Sequence, residues 1–165
     1  MRTFLLIGSA ALILSGTSCN KSSSATCDPT PPSVVATDAE QAFLANYIST
    51  NGIAATRHSS GFYYEITNPG TGTAMPTICS SVKVTYIGSV IGGSGVPFDS
   101  NTTGTTFQLN GLITGWQLGI PLLKKGGSVK LYLPPSMGYG SSGSGSAIPP
   151  NSYLLFTVAL LDFAN

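Results

Sequence analysis

Apolar and polar residues alternate along the second half of the chain with a period of two. The alternation occupies four runs, at residues 62–66, 82–86, 129–133 and 154–160. Successive side chains of a strand point to opposite faces of a sheet, so each run predicts a half-buried antiparallel strand. Turn signals such as Asn68-Pro69-Gly70 lie between the runs. The pattern therefore predicts a sheet-based domain that fills residues 60–165.

The first half of the chain contains one segment with helical periodicity. Thr37 and Glu40 have the spacing of a capping box, in which each side chain satisfies a backbone N–H at the start of a helix. Asn51-Gly52 ends the pattern. The apolar residues that share one helical face are Phe43, Leu44, Tyr47 and Ile48. We predict an accessory helix at 38–50, inside a connector of residues 37–59, whose apolar stripe packs on the domain or on a partner chain.

A second, shorter helix is predicted between the second and third strands. Thr114 and Gln117 repeat the capping-box spacing, and Pro121 with Gly126-Gly127 leaves no room for a long helix. After the third strand, residues 134–150 are rich in Gly and Ser. A loop of this length inside a compact domain is often functional. We expect an α+β architecture in which one sheet folds over one short helix.

Charged residues make up 8% of the chain, whereas an average soluble protein has about 25%. The formal net charge is +1, and there are 20 Gly and 11 Pro residues. Such a composition is typical of strands and turns rather than of charged surface helices. It excludes nucleic acid as a partner, because phosphate binding requires a basic surface.

The N-terminus has the pattern of a secretory signal peptide over residues 1–18. Arg2 precedes an apolar run at residues 4–14, and small residues continue to Cys19. The run is shorter than the roughly 20 residues of a membrane-spanning helix. Residues 14–19 resemble a bacterial lipobox, so we expect an extracytoplasmic protein with a lipid on Cys19, anchored to the outer membrane and facing the periplasm or the cell surface. The alternative is a plain signal peptide with an incidental cysteine.

Residues 19–36 carry little apolar surface and many Ser and Pro residues, so we expect a lipidated tether between the membrane and the domain. Besides Cys19, the chain has Cys27 and Cys79. In an exported protein this pair is compatible with a disulfide, and two unpaired thiols are the alternative. No His and Cys cluster predicts a metal site, since His58 is the only histidine.

Seven short motifs follow one another in the predicted domain. They are Val84-Thr85-Tyr86-Ile87-Gly88, Phe98-Asp99-Ser100, Phe107-Gln108-Leu109, Leu112-Ile113-Thr114-Gly115-Trp116, Leu131-Tyr132-Leu133-Pro134-Pro135, Gly138-Tyr139-Gly140, and Ile148-Pro149-Pro150 with Phe156 beyond. In this order and spacing they resemble the FKBP family of macrolide-binding peptidyl-prolyl cis-trans isomerases. The resemblance implies an FKBP-like antiparallel sheet of about five strands wrapped around one short helix, with the active site between them. It does not extend to residues 20–59.

The resemblance also implies a single pocket for catalysis and binding. In this pocket, the resemblance implies that the backbone N–H of Ile113 and the hydroxyl of Tyr139 bind carbonyl groups of the substrate. It also implies that Asp99 places a carboxylate near the carbonyl of the rotating X-Pro bond. The substrate-binding residues it implies are Tyr86, Phe98, Phe107, Leu112, Trp116, Ile148 and Phe156, with Trp116 as the floor. Structural interpretations of these residues stay open. The apolar ones would suit any small core, and Asp99 would also serve as a turn residue or as a partner for the Tyr86 hydroxyl. Tyr139 would also serve only to shape a turn, and Ile148 only to brace the loop of residues 134–150.

By this resemblance, the expected activity is rotation of X-Pro bonds during folding of exported proteins. The barrier comes from amide resonance and is about 18–20 kcal/mol, so the reaction needs neither a nucleophile nor a cofactor. Proline-containing polypeptides are the expected partners, and macrolide immunosuppressants are the expected inhibitors. A non-catalytic polypeptide-binding module or holdase that uses the same groove is the alternative. A structural surface lipoprotein whose helix mediates dimers is a third hypothesis, and the sequence leaves the oligomeric state open.

Overall fold

The computed structural model describes residues 27–165, so the expected signal peptide and the expected lipid on Cys19 lie outside the described residues. These described residues contain two α-helices, α1 at Asp38–Thr50 and α2 at Thr114–Gly119. The same part of the chain forms six strands, which are β1 at Thr56–Arg57, β2 at Tyr63–Asn68, β3 at Ser81–Val90, β4 at Asp99–Gln108, β5 at Ser128–Leu133 and β6 at Leu154–Ala164. Short 3-10 turns follow β4, α2 and β5.

The strands form one antiparallel sheet in the order β1-β2-β5-β6-β3-β4. This confirms the α+β class and the antiparallel sheet over a short helix. The sheet has six strands, where about five were expected. β4 carried no signal of its own, because its residues are mostly polar and lack alternation. It forms as an edge strand by pairing with β3, from Ser81 opposite Gln108 to Gly88 opposite Asp99.

The main core lies between the sheet and α2. Every second residue of β3, β5 and β6 points into it, as the alternation predicted, and these side chains are buried: Val82, Val84, Val129, Leu131, Leu133, Leu154, Phe156, Val158 and Leu160. Helix α2 approaches the sheet closely through Gly115 and Gly119. A Cβ at Gly119 would lie 2.6 Å from Cδ2 of Leu131, and one at Gly115 would overlap the Leu133 side chain. Only glycine at these positions lets the helix lie this near the strands.

The predicted capping box of the short helix is wrong. The N-cap of α2 is Ile113, one residue before Thr114, and it has no side-chain cap. The residue three positions after this N-cap is Trp116, so Gln117 is out of register for the motif. The Gln117 amide nitrogen instead donates to the backbone oxygens of Leu112 at 2.6 Å and Asn110 at 3.2 Å. It therefore fastens the loop that leads into the helix.

Helix α1 has the predicted bounds, and its capping box is present. The Thr37 hydroxyl accepts from the Glu40 N–H, and the Glu40 carboxylate accepts from the Thr37 N–H. Leu44 and Ile48 are buried against Tyr132 in a second apolar cluster on the opposite face of the sheet. The apolar stripe thus packs on the domain of its own chain.

Residues 27–36 have no regular secondary structure but are fastened at both ends. Cys27 is bonded to Cys79 in a disulfide, with the two Cα atoms 5.7 Å apart. Ala36 is buried in the main core, and its N–H donates to the Ser60 oxygen at 2.9 Å. This part of the expected tether lies on the domain and does not extend away from it. No helix within residues 27–165 combines the length and the apolarity needed to cross a membrane.

Candidate functional site

A cavity of about 300 Å³ opens between α2 and the sheet. Its lining residues are Tyr86, Phe98, Asp99, Phe107, Gly111, Leu112, Ile113, Trp116, Tyr139 and Phe156. Nine of the ten pocket residues named from the sequence line it. They come from β3, from β4 and the residue before it, from the segment between β4 and α2, from α2, from the loop after β5 and from β6, so the fold gathers them from most of the domain.

The walls of the cavity are aromatic rings set edge to face around the indole of Trp116. Its ring centroid is 5.3 Å from that of Tyr86, 5.3 Å from that of Phe156 and 6.2 Å from that of Phe107, at interplanar angles between 79° and 86°. Such arrangements stabilise aromatic clusters beyond simple burial. Trp116 is only 4% exposed and forms the floor. Its buried Nε1 has no acceptor among the described residues.

Gly88 makes room for one of the walls. The rings of Phe98 and Phe156 meet over it at 5.5 Å and 84°. A Cβ at Gly88 would lie 2.7 Å from Phe156 Cε1 and 2.7 Å from Phe98 Cζ. The two rings can therefore hold this position only because β3 carries no side chain there.

Replacing Gly88 by alanine is expected to displace one of these rings and to destabilise the fold by about 1–3 kcal/mol, as overpacking does. Because Phe156 contacts the only tryptophan, the fluorescence of Trp116 should also change. Gly111→Ala is the matched control, since a Cβ at Gly111 meets nothing within 4 Å. Chemical denaturation and emission spectra of both variants check this. Equal behaviour of the two variants would show that the rings tolerate a methyl group at position 88.

Asp99 supplies the carboxylate of the site. The Tyr86 hydroxyl donates to Asp99 Oδ2 at 2.7 Å, so the carboxylate both lines the cavity and partners this tyrosine. Burial, the hydrogen bond with Asp99 and the charges of Asp99 and Tyr139 raise the pKa of Tyr86 to about 12. Tyr86 therefore remains a hydrogen-bond donor across the physiological range.

Besides the buried Nε1 of Trp116, two further donors at the cavity have no partner among the described residues. Tyr139 lies on the loop after β5, where burial and the nearby Asp99 charge raise the pKa of its hydroxyl. That hydroxyl makes no hydrogen bond within residues 27–165, and the backbone N–H of Ile113 likewise meets no acceptor there. Both are free to bind an acceptor on a ligand.

Ile148 is the exception to the expected pocket. It does not line the cavity but packs into the main core, where it is 4% exposed. Its N–H and C=O pair with Ser144 at 3.1 and 2.8 Å, which closes the loop back on itself and turns the side chain inward. Gly111 lines the cavity without having been expected, because a residue without a side chain leaves no chemical signal in a sequence. Residues 27–165 hold no group of three acidic, His or Cys side chains placed to bind a metal ion.

Comparisons with known proteins agree with this geometry. A family model described as FKBP-type peptidyl-prolyl cis-trans isomerase matches residues 72–161. A Haemophilus influenzae protein named probable FKBP-type peptidyl-prolyl cis-trans isomerase is 37% identical over 123 residues, which cover 73% of this chain and 49% of the relative. The chain spans about half the length of the curated relatives it matches.

Solved structures give the same result. A peptidyl-prolyl cis-trans isomerase of Pseudomonas syringae pv. tomato has a TM-score of 0.67 and 28% identity, with 77% of this chain and 92% of that one covered. FkpA of Escherichia coli has a TM-score of 0.65 and 36% identity, with 76% and 57% covered. The family model spans more than half of the chain, and its match includes every cavity-lining residue. The chain belongs to the FKBP-type peptidyl-prolyl cis-trans isomerase family.

Proposed function

We propose that the chain catalyses cis-trans isomerisation of X-Pro bonds in polypeptides outside the cytoplasm. The observation that carries the proposal is the aromatic cavity over Trp116, with a carboxylate and two free donors at its edge. Family membership and the match of the domain support it. The reaction needs no cofactor, because no bond is broken.

The cavity can favour the transition state by removing water from the prolyl amide. A planar amide is polarised by resonance, and this charge separation decreases as the C–N bond twists. An apolar aromatic enclosure therefore disfavours the planar ground state relative to the twisted form. Trp116 and Phe156 supply the enclosure, since both are nearly fully buried at the cavity.

The polar groups fix the substrate while the bond rotates. The Ile113 N–H and the Tyr139 hydroxyl are free to donate hydrogen bonds to substrate carbonyl oxygens. Asp99 adds a negative charge near the rotating carbonyl and is itself held by the Tyr86 hydroxyl. Preorganised groups of this kind need no rearrangement during the reaction, which is how they lower a barrier.

An isomerisation assay with short X-Pro peptides tests the proposal. We expect acceleration of a step that otherwise takes tens to hundreds of seconds. The rate should be nearly constant between about pH 6 and 8, because Tyr86 and Tyr139 keep their protons there and rotation transfers none. A macrolide of the immunosuppressant class should compete for the same cavity. Peptide binding without acceleration would instead support the binding module or holdase.

For localisation, we propose export by a signal peptide at residues 1–18 and lipid attachment at Cys19, with the domain held at the outer membrane. The apolar leader and the lipobox-like stretch support this. The Cys27–Cys79 disulfide supports an oxidising compartment, since structural disulfides persist mainly outside the cytoplasm.

Cys19→Ser is expected to move the protein from the membrane fraction to the soluble fraction without preventing export. One acyl chain binds a membrane only marginally, but several acyl chains on one cysteine hold a protein firmly. Because Cys19→Ser removes all of them, the shift to the soluble fraction should be nearly complete. Fractionation of cells that express wild type or variant checks this. Cys79→Ser is the control, because it removes a cysteine without touching the expected anchor. Equal membrane retention of Cys19→Ser would contradict the anchor.

A further inference from the structure

Helix α1 makes a direct contact with the loop that carries Tyr139. Glu40 Oε1 accepts from the Ser136 N–H at 2.8 Å, and Glu40 Oε2 accepts from the Ser136 hydroxyl at 3.0 Å. Ser136 is the middle residue of a 3-10 turn, Pro135–Met137, that follows β5. Tyr139 lies three residues further along. One carboxylate thus joins a helix outside the main core to the loop at the edge of the cavity.

The Glu40 carboxylate is itself held in place by the helix start. Its Oε2 accepts from the Thr37 N–H at 2.8 Å and from the Thr37 hydroxyl at 3.0 Å. Further along α1, Leu44 and Ile48 are buried against Tyr132, which is on β5 just before the turn. The helix is therefore fixed to the same strand from which the Tyr139 loop emerges, and the carboxylate has little freedom to move alone.

The turn is clamped between this carboxylate and the core. Pro135 and Met137 are buried, so they hold the turn from the inside. Ser136 is exposed between them, and Glu40 is the partner of its N–H. Partial burial tends to raise the pKa of Glu40, but the hydrogen bonds from Ser136 and Thr37 outweigh it and lower the pKa from 4.5. The contact is thus charge-assisted at neutral pH, which makes it stronger than a bond between neutral groups.

We propose that Glu40 is a positioning residue that fixes the Tyr139 hydroxyl relative to Asp99, so that α1 is part of the catalytic apparatus and not a spacer. The kinetic part of this inference rests on the proposed isomerase function. Tyr139 is 36% exposed and its hydroxyl has no partner within residues 27–165, so its place depends on the loop backbone. Glu40 on one side of the loop and the core on the other restrict the number of conformations of the loop backbone. Less conformational freedom is then lost when a substrate binds to Tyr139.

The test compares two acidic residues in the first turn of the same helix. Glu40→Ala removes the contacts with Ser136 and with Thr37, whereas Asp38→Ala removes an exposed carboxylate that makes no hydrogen bond within residues 27–165. Both changes remove the same charge near the helix N-terminus, so their effects on the helix dipole are matched. Glu40→Gln is the graded variant, because glutamine still serves in a capping box but has only one acceptor oxygen.

Glu40→Ala is expected to lower kcat/KM on X-Pro peptides by about three- to tenfold, and Asp38→Ala to leave it unchanged. Glu40→Gln should fall between them. If the effect passes through Tyr139, it should largely vanish when Tyr139→Phe is already present, as a double-mutant cycle would show. An undiminished effect of Glu40→Ala in the Tyr139→Phe background would overturn the inference.

Amide hydrogen exchange gives a readout that does not depend on activity. Glu40→Ala should speed exchange across residues 136–139, and Asp38→Ala should not, while the amides of β5 and β6 stay protected in both. Equal exchange in the two variants would overturn the inference even if the wild type is an active isomerase. If the wild type has no isomerase activity, the proposed function fails by itself, and the exchange experiment still decides whether Glu40 holds the loop.

Discussion

Asp99→Ala is expected to lower kcat/KM on X-Pro peptides by about tenfold to a hundredfold, with little loss of stability. Asp99 is the carboxylate of the cavity, and it holds the Tyr86 hydroxyl at 2.7 Å. Removing it deletes the charge that we propose lies beside the rotating carbonyl, and it frees Tyr86 to move. A hydrogen bond to a charged group contributes about 1.5–3 kcal/mol, which corresponds to this range of rates. Its exposed position on an edge strand means that the fold does not depend on it.

Two further variants separate charge from packing. Tyr139→Phe removes one hydroxyl and should lower kcat/KM by a smaller factor, about tenfold or less, because only a neutral hydrogen bond is lost. Asp162→Ala is the control, since this exposed carboxylate pairs with Lys125 away from the cavity. Steady-state kinetics on folded proteins, checked by thermal unfolding, decide the matter. If Asp99→Ala and Tyr139→Phe both keep wild-type kcat/KM, these residues are structural and the roles proposed for them are wrong.

Deletion of the residues before 60 is expected to lower the free energy of unfolding by about 3–6 kcal/mol through the lost burial of α1 alone, while leaving a cooperative fold. Leu44 and Ile48 are buried against the sheet, and burial of each such side chain contributes about 1.5–3 kcal/mol. For a domain of this size, the melting temperature should fall by more than about 10 °C. We propose that residues 60–165 nevertheless fold alone, since Ala36 is the only main-core residue outside them in the described range 27–165.

The deletion also removes Cys27 and with it the disulfide, so the comparison needs a control. The reduced full-length chain supplies it, because it keeps α1 but lacks the cross-link. In the full-length chain, Leu44→Ala should reproduce about 2–5 kcal/mol of the loss. Calorimetry and denaturant unfolding of the three proteins measure the contributions. A truncated chain without a cooperative transition would show that α1 completes the core and that the domain begins before residue 60.

The sequence predicted those helices and strands that are specified by residues close together in the chain. β3, β5 and β6 each bury one face, so their alternation was visible in the sequence. The capping box at Thr37 was also found, because both of its contacts join residues three positions apart. The same spacing at Thr114 gave a wrong prediction of the N-cap. The backbone of Ile113 is not helical, and Ile113 is therefore the N-cap of α2 in place of Thr114. A capping motif specifies a helix start only when the preceding backbone allows that register.

The edge strand β4 and parts of the cavity could not be predicted from local patterns. β4 is polar and gained its structure from pairing with β3, an interaction that alternation within β4 could not reveal. Most cavity residues were identified because short motifs resemble those of a known family. Ile148 was misplaced because the Ser144 pairing turns it into the core. Gly111 and Gly88 contribute to the cavity because they have no side chain. A missing side chain adds no polar or apolar position to a sequence pattern, so the pattern could not predict their roles.

The sequence by itself determined four of the six antiparallel strands (β2, β3, β5 and β6), both helices, the leader pattern and the motifs of the pocket. Each of these depends on residue type and on spacing within one element or one family motif. Only the tertiary structure decided that the apolar stripe of α1 packs on its own domain and that Glu40 contacts Ser136. Those two residues are 96 positions apart, so their contact depends on how the whole sheet places β5 beneath the helix. Local periodicity says which face of an element is apolar, and the packing of the complete chain decides what that face meets.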